Sequence, residues 1–172
     1  MARFAVRPST VDDQEAIAAV RVATWRSAYR QLVPVGILDA MDPVAQGARR
    51  RAGFAARPDS DYEFVTETGG RVVGFVQGGR YRDDDGQATG CGEVYALYVL
   101  PEAQGSGAGG ALLGAAVEHL RTRGLTPVLL WVLRDNAASR RFYQRCGFIA
   151  DGAEHVYEVA GEPLPEVRYR LD

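Results

Sequence analysis

A glycine-rich segment, Gln-Gly-Ser-Gly-Ala-Gly-Gly at residues 104–110, separates a strongly apolar stretch from one with helical periodicity. Leu113, Val117 and Leu120 recur at helical spacing after it. Glycine lets the main chain approach a ligand closely, and the first N–H groups of a helix can bind an anion. The sequence therefore predicts a strand, loop and helix able to hold a phosphate group. The alternative is a glycine-rich turn that serves tight packing alone.

The same glycines fit the GxGxxG pattern of dinucleotide-binding folds at Gly105, Gly107 and Gly110. In those folds the strand runs straight into the first glycine, whereas Pro101 and Glu102 intervene here. The 62 residues that follow Gly110 are too few to complete a six-stranded doubly wound sheet. We therefore reject a dinucleotide fold.

The composition excludes several classes of function. All 20 basic residues are Arg, so chemistry that needs a lysine amine, such as a Schiff base or a Walker-type phosphate loop, is ruled out. A net charge of −2 argues against a nucleic-acid partner. Cys91 and Cys146 have no CxxC spacing, which predicts neither a metal site nor a disulfide framework. The apolar runs are too short to span a membrane, and we expect a cytoplasmic protein with one domain, residues 1–172.

The order of elements predicted along the chain is β-α-α-β-β-β-α-β-α-β-β. A strand at residues 3–7 precedes a helix capped by Ser9 or Thr10 and ending near Tyr29, and Asp42 caps a second helix at 43–55. Gly69-Gly70 predicts a hairpin between strands 62–68 and 71–81. A loop at 82–92 is followed by strand 93–99, helix 107–121, strand 127–133, helix 137–146 and strands 155–159 and 167–171.

Two charge runs have a plain interpretation as solvated surface. The run Arg49-Arg50-Arg51 is expected on the exposed face of the second helix. The run Asp83-Asp84-Asp85 is expected in a solvated loop, with attraction of a cationic amine as the alternative. His119 is expected on a helix surface and His155 in a strand, neither with the spacing of a metal ligand.

Two separate motifs resemble the GNAT superfamily of acyl-CoA-dependent N-acyltransferases. The first is Tyr-Ala-Leu-Tyr-Val-Leu-Pro at residues 95–101, followed by the loop pattern matched by Gln104, Gly107 and Gly109. The second is Asn-Ala-Ala at 136–138, followed by Phe-Tyr-x-x-x-Gly-Phe at 142–148. They occur in the family's order, and the order of elements agrees over nearly the whole chain.

The resemblance implies an α+β fold, a mixed αβ sandwich. It has a mixed central sheet of about seven strands, helices on both faces, and a fourth and fifth strand that splay apart. It also implies acetyl-CoA as the acyl donor, without a metal. The residues implied to bind it are Leu97, Tyr98, Val99, Gln104, Gly105, Ser106, Gly107, Ala108, Gly109, Asn136, Ser139 and Tyr143. Relatives often carry a basic residue where Ser106 stands, and Arg140 or Arg141 is expected to replace that contact.

The resemblance also implies roles in catalysis. Glu93 is similar in position to the base of some relatives, acting directly or through water, and the alternative is a carboxylate that faces solvent. Tyr143 resembles the tyrosine that protonates the departing thiolate, with packing alone as the alternative. Main-chain N–H groups near Leu97 or Val99 are expected to polarise the thioester carbonyl. Trp25 and Tyr29 resemble residues that shape the acceptor site, with core packing as the alternative.

The activity expected from this resemblance is N-acetyltransfer to an amine of a small molecule or peptide, by direct attack on the thioester. Three alternatives remain open: a non-catalytic acyl-CoA sensor, a mechanism with Cys91 or Cys146 as acyl carrier, and an acceptor that is not an amine. Because family members often form dimers, a homodimer is also expected.

Overall fold

A mixed seven-stranded sheet with strand order β1-β2-β3-β4-β5-β7-β6 forms the centre of the protein. The computed structural model describes residues 4–82 and 88–172. The strands of this part are β1 Val6–Pro8, β2 Tyr62–Thr68, β3 Arg71–Arg82, β4 Ala88–Val99, β5 Val128–Leu133, β6 Ile149–Val159 and β7 Glu162–Leu171. β4 and β5 pair in parallel and the other neighbours pair antiparallel.

The helices cover both faces of the sheet. They are α1 Gln14–Ala28, α2 Val35–Asp39, α3 Pro43–Gly53, α4 Ala108–Thr122 and α5 Ala137–Arg145. Neighbouring residues of β3 show the two faces, because Val76 packs in the cluster of α4 and Phe75 packs in the cluster of α1. Tyr143 of α5 lies in the α4 cluster. The predicted fold class and the helices on both faces are confirmed.

Local polar contacts fix where the helices begin. The backbone N–H of Thr10 donates to Asp13 Oδ2 at 2.7 Å in the turn that leads into α1. Asp42 accepts from the N–H of Val44 at 2.8 Å, and Asn136 accepts from the N–H of Ser139 at 3.1 Å. These contacts satisfy N–H groups that lack a partner within the helix, and the predicted caps at Asp42 and Asn136 are confirmed.

The fourth strand contains an irregularity that shapes the molecule. Gln77 of β3 pairs with Ala96, but the next residue, Gly78, pairs with Val94, so Tyr95 is an extra residue in β4. Beyond this bulge β4 leaves β5. In the described part of the chain, the two strands pair through three residues of β4 and separate after Val94, although β4 continues to Val99 and β5 to Leu133. The predicted splay is therefore confirmed.

Several predicted boundaries are wrong, among them the start of β7, which lies at Glu162 rather than at residue 167. β4 begins at Ala88, where a loop at 82–92 was expected, because Gly90 and Gly92 in this segment give no hydrophobic signal. The space above Gly92 is filled from α4, since a Cβ there would lie 2.9 Å from the Leu120 side chain. β6 begins at Ile149 rather than at residue 155, because this edge strand is almost entirely exposed and shows no alternation. The run Asp83-Asp84-Asp85 lies outside the described residues.

The interpretation of Arg50 as a solvated residue is also wrong. Its Nη2 donates to Oε2 of Glu63, whose side chain is 1% exposed. Arg57 Nη1 donates to the same carboxylate at 2.9 Å, as do Ser9 Oγ at 2.7 Å and Gln14 Nε2 at 2.9 Å. Arg50 therefore ties α3 to β2 through a buried charge cluster, although its neighbours in the run are exposed.

Candidate functional site

A cleft of about 960 Å³ opens where β4 and β5 part. It reaches from the glycine segment to the far side of the sheet, so that an extended ligand could lie across it. The predicted site residues that line it are Trp25, Tyr29, Glu93, Leu97, Tyr98, Val99, Gln104, Gly105, Gly107, Gly109, Asn136, Ser139 and Tyr143. Ser106 and Ala108 are outside this lining, and Ala108 is buried.

The glycine loop is held in a defined conformation at one end of the cleft. Gly107, the residue before α4, has a φ of 101°, which glycine adopts without strain. Gln104 Nε2 donates to the carbonyl oxygen of Val99 at 3.0 Å, which ties the loop to the end of β4. The Ser106 hydroxyl donates to the carbonyl oxygen of Ala103, so the Ser106 side chain bonds back to the loop's own backbone.

The loop has main-chain donors with no acceptor among the residues that the structure describes. Within residues 4–82 and 88–172, no hydrogen bond uses the N–H groups of Gly105, Ser106, Gly107, Gly109 or Gly110. They lie at the N-terminus of α4, a helix of 15 residues whose dipole also favours an anion. The segment therefore has the donors that a phosphate group requires.

Helix α5 forms the opposite side of this end. Asn136 Oδ1 is occupied by the N–H of Ser139, so its observed contact is a helix cap. The arginine of α5 that lines the cleft is Arg145. Arg140 instead donates to the carbonyl oxygen of Arg134 at 2.9 Å, and Arg141 is exposed outside the cleft. Of the two residues expected to supply the missing basic contact, neither is placed to do so.

Glu93 lies on the cleft wall in a half-buried position. In the part of the chain that the structure describes, its carboxylate has no hydrogen bond or ion pair. Burial and the charge of Glu166 raise the pKa of Glu93 to about 7, against the opposing effect of Arg168. The Glu93 carboxylate is partly desolvated, which raises its pKa, and its role as a base or as a solvent-facing carboxylate stays a prediction.

A second carboxylate, Glu166 on β7, lines the same cleft. Its Oε2 lies 2.7 Å from Nε2 of His155 on β6, and the His155 ring stacks on Trp131 at 3.8 Å between ring centroids. Burial raises the pKa of Glu166, partly offset by His155. Sequence reasoning missed Glu166, because only the register of β5 and β7, which places it beside Leu133, brings it to the cleft.

Four aromatic side chains line the same cleft: Trp25, Tyr29, Tyr98 and Tyr143. Trp25 and Tyr29 meet edge to face with 4.9 Å between ring centroids. Burial raises the pKa values of Tyr29, Tyr98 and Tyr143 well into the alkaline range, so all three hydroxyls keep their protons at neutral pH. Tyr143 is 8% exposed and lines the cleft.

The two cysteines are free thiols. Cys146 lines the cleft, but burial raises the pKa of its thiol, which lowers the population of the nucleophilic thiolate. Cys91 lies outside the cleft lining. This geometry gives little support to an acyl-carrier cysteine.

No helix among the described residues is both long enough and apolar enough to cross a membrane.

Comparison with known proteins identifies the family. The chain is 32% identical to the uncharacterized N-acetyltransferase YuaI of Bacillus subtilis (strain 168), over 94% of this chain and 89% of that protein. It is 38% identical to the mycothiol acetyltransferase of Pseudarthrobacter chlorophenolicus over 60% of this chain, but spans only 33% of that longer protein.

Solved structures share the fold. The PaiA N-acetyltransferase from Thermoplasma acidophilum, in complex with coenzyme A, superposes with a TM-score of 0.71 at 16% identity, over 98% of this chain and 99% of that one. The model of the acetyltransferase (GNAT) family matches residues 19–148. These residues include the parted strands, the glycine loop and α5. The chain belongs to the acetyltransferase (GNAT) family.

Proposed function

We propose that this protein transfers the acetyl group of acetyl-CoA to an amine of a small molecule or peptide, by direct attack of the amine on the thioester. The observation that carries the proposal is the cleft between β4 and β5, which has free main-chain donors at one end and the unpaired carboxylate of Glu93 on its wall. A base and an anion site on one continuous surface fit a reaction between a coenzyme thioester and an amine.

The residues present fit the coenzyme. The free N–H groups of Gly105, Ser106, Gly107, Gly109 and Gly110 suit its diphosphate, and Arg145 lines the same cleft with a cationic side chain. The separation of β4 from β5 leaves space for an extended arm along Leu97 and Val99. A protein of the same fold has been solved with coenzyme A. When bound, the coenzyme supplies the acetyl thioester.

Glu93 is the proposed base. An aliphatic amine with a pKa of ~10.4 is protonated at neutral pH and must lose a proton before it can attack. A carboxylate with a pKa of about 7 takes up that proton, directly or through a water molecule, and releases it again near neutral pH. Its partial burial strengthens this function because a desolvated carboxylate is a stronger base than one in water.

Tyr143 is the proposed acid. As the new C–N bond forms and the C–S bond breaks, the sulfur becomes a thiolate and takes a proton from the Tyr143 hydroxyl. The raised pKa keeps this hydroxyl protonated until that step. A thiol has a pKa of ~8.5 and leaves readily, so the acid assists the step without being indispensable. Main-chain N–H groups on the unpaired edge of β4 near Leu97 and Val99 would polarise the carbonyl.

The test is thiol release from acetyl-CoA in the presence of a panel of amines, with coenzyme binding measured separately by calorimetry. We expect release that depends on an amine, and an acetylated product detected by mass spectrometry. Tight binding of acetyl-CoA without release for any amine would overturn the proposal and favour a sensor. Full activity after replacement of both cysteines by Ala would exclude the acyl-carrier mechanism.

A further inference from the structure

The cleft contains a cation that the proposed reaction does not use. Arg21 of α1 lines the same cleft as Glu93. Its Nη1 donates to the neutral side chain of Gln46 at 2.8 Å, and its guanidinium carbon lies 4.9 Å from the centre of the Trp25 ring. No carboxylate among residues 4–82 and 88–172 lies within ion-pair distance of Arg21.

Most of the half-buried arginines of this protein do have such a partner, Arg140 being an exception that donates to neutral acceptors. Arg50, Arg57 and Arg168 each bind a carboxylate of the chain. Half-buried cations normally gain such a partner because desolvation of an uncompensated charge is unfavourable. Arg21 therefore has the binding capacity for an anion that comes from outside the chain.

A second donor lies on the same wall. Trp25, one helical turn after Arg21, is 5% exposed; its indole Nε1 meets no acceptor at full hydrogen-bond geometry among the described residues, although it lies close enough to the Tyr98 hydroxyl to lower the pKa of that group. A buried donor without a fully formed hydrogen bond is rare in a folded protein. Two donors in one wall favour a ligand group with several oxygen acceptors, such as a carboxylate.

Besides Arg145, which is assigned above to the coenzyme, the arginine and glutamate side chains that line this cleft divide into two groups. Arg21 lies on α1, whereas Glu93 and Glu166 lie on β4 and β7, and all three line the same cleft. The positive charge of Arg21 also acts on Tyr98. Burial raises the pKa of Tyr98, and Arg21 lowers it in part. A ligand that matches this distribution has a negative group toward α1 and an ammonium group toward the carboxylates.

We propose that the acceptor is a zwitterion of the amino-acid class, with its carboxylate bound by Arg21 and its amine directed toward Glu93. This inference rests on the proposed acetyltransferase function and adds the chemical class of the acceptor. Glu166, held by His155, adds a second negative charge beside the ammonium group. Arg21 acts here as a specificity residue, since it binds the acceptor without taking part in proton transfer.

The experiment compares three matched sets of acceptors: free amino acids, their carboxamides, and the amines that lack the carboxyl group. We expect at least one free amino acid to have a kcat/KM about 100-fold above those of its amide and amine, because the site loses an ion pair with the neutral analogues. Arg21→Gln should remove most of this preference through KM, and Arg21→Lys should restore part of it. Activity with the amides should fall much less than activity with the acids.

Arg30→Gln is the matched control, because Arg30 lies just beyond α1, is exposed and does not line the cleft. The inference is overturned if amides or simple amines react as well as the acids, or if Arg21→Gln lowers activity with all three sets equally. Absence of turnover with every set, despite coenzyme binding, would instead contradict the acetyltransferase proposal itself.

Discussion

Gly78 of β3 lies against the carbonyl oxygen of Glu93 so closely that a Cβ at position 78 would be 2.0 Å from it. The same Cβ would be 2.4 Å from the hydroxyl oxygen of Tyr62, which is buried. Two strands thus touch at the point where the bulge begins and where the proposed base is attached.

Gly78→Ala is expected to destabilise the protein by about 1–3 kcal/mol, because neither neighbour can move away without shifting a strand. The free energy of unfolding in denaturant measures this. Gly90→Ala in β4 is the control, since a Cβ there meets nothing within 4 Å. An unchanged unfolding midpoint for Gly78→Ala would mean that the strands adapt.

Glu93→Gln is expected to lower kcat/KM by ~10²–10⁴-fold, the usual contribution of a general base. In the unchanged protein, kcat/KM should rise with pH through an ionisation near the pKa of about 7. The variant should lack that ionisation. Glu162→Gln on β7, which is exposed and outside the cleft, is the control. A pH profile that keeps its inflection in Glu93→Gln would assign it to another group.

The same ionisation predicts how stability depends on pH. The pKa of Glu93 is raised from an ordinary 4.5 to about 7 in the folded protein, so between these values the folded state binds more protons than the unfolded state. The contribution of Glu93 to stability is therefore greatest below about pH 4.5 and is lost as the pH rises to about 7. We expect Glu93→Gln to flatten the fall in unfolding free energy across this window. An equal slope in both proteins would contradict the raised pKa.

Tyr143→Phe is expected to lower kcat by ~10²-fold or less and to leave the apparent affinity for the coenzyme nearly unchanged. The thiol leaves readily, so the loss of its proton donor slows the reaction without stopping it. Tyr169→Phe removes another hydroxyl in the same core, one that is hydrogen-bonded to Arg140 and Gln144. Steady-state kinetics that show equal losses in both variants would indicate a packing role for Tyr143.

Gly107→Glu is expected to abolish coenzyme binding, since it places bulk and negative charge among the free N–H groups of the loop. The φ of 101° makes any side chain at this position strained. Gly107→Ala therefore reports the strain alone and should retain part of the affinity. Calorimetry that finds the original affinity in a folded Gly107→Glu protein would exclude the loop as the diphosphate site.

Arg50→Ala is expected to cost about 3 kcal/mol of unfolding free energy, because it removes one partner of the buried Glu63 carboxylate. Arg49→Ala, one residue earlier on the exposed face of α3, should change it by no more than about 0.5 kcal/mol. Chemical denaturation of the two variants tests the comparison. Equal losses of unfolding free energy in the two variants would mean that Arg50 behaves as a surface charge.

Much of the fold could be predicted because local signals agreed with the tertiary structure. Caps at Asp42 and Asn136 and the hairpin at Gly69-Gly70 depend on a few neighbouring residues, and the structure has all three. The start of β6 could not be predicted in this way. Its residues are exposed on both faces of an edge strand, so no hydrophobic periodicity marks it.

The residues of the candidate site also fall into two groups, those that the local sequence predicts and those that it does not. Gln104, Gly107 and Tyr143 belong to contiguous motifs, and the cleft includes them all. Glu166 and Arg21 come to the cleft only through strand register and helix docking, which are set by contacts between residues far apart in sequence. The position of Arg50 could not be predicted either, because nothing in the local sequence distinguishes it from Arg49. Arg50 packs inward because it binds Glu63.

The hydrogen-bonded ladder between β4 and β5 is short, so hydrophobic packing supplies much of the connection between the two halves of the sheet. Leu112 and Leu120 of α4 pack in one cluster with Val94 of β4 and Leu130 of β5. The width of the opening is therefore set in part by Leu112, Leu120 and Leu130, which do not line the cleft. We expect a mutation of these interior residues to change catalytic rate while every residue of the cleft stays the same.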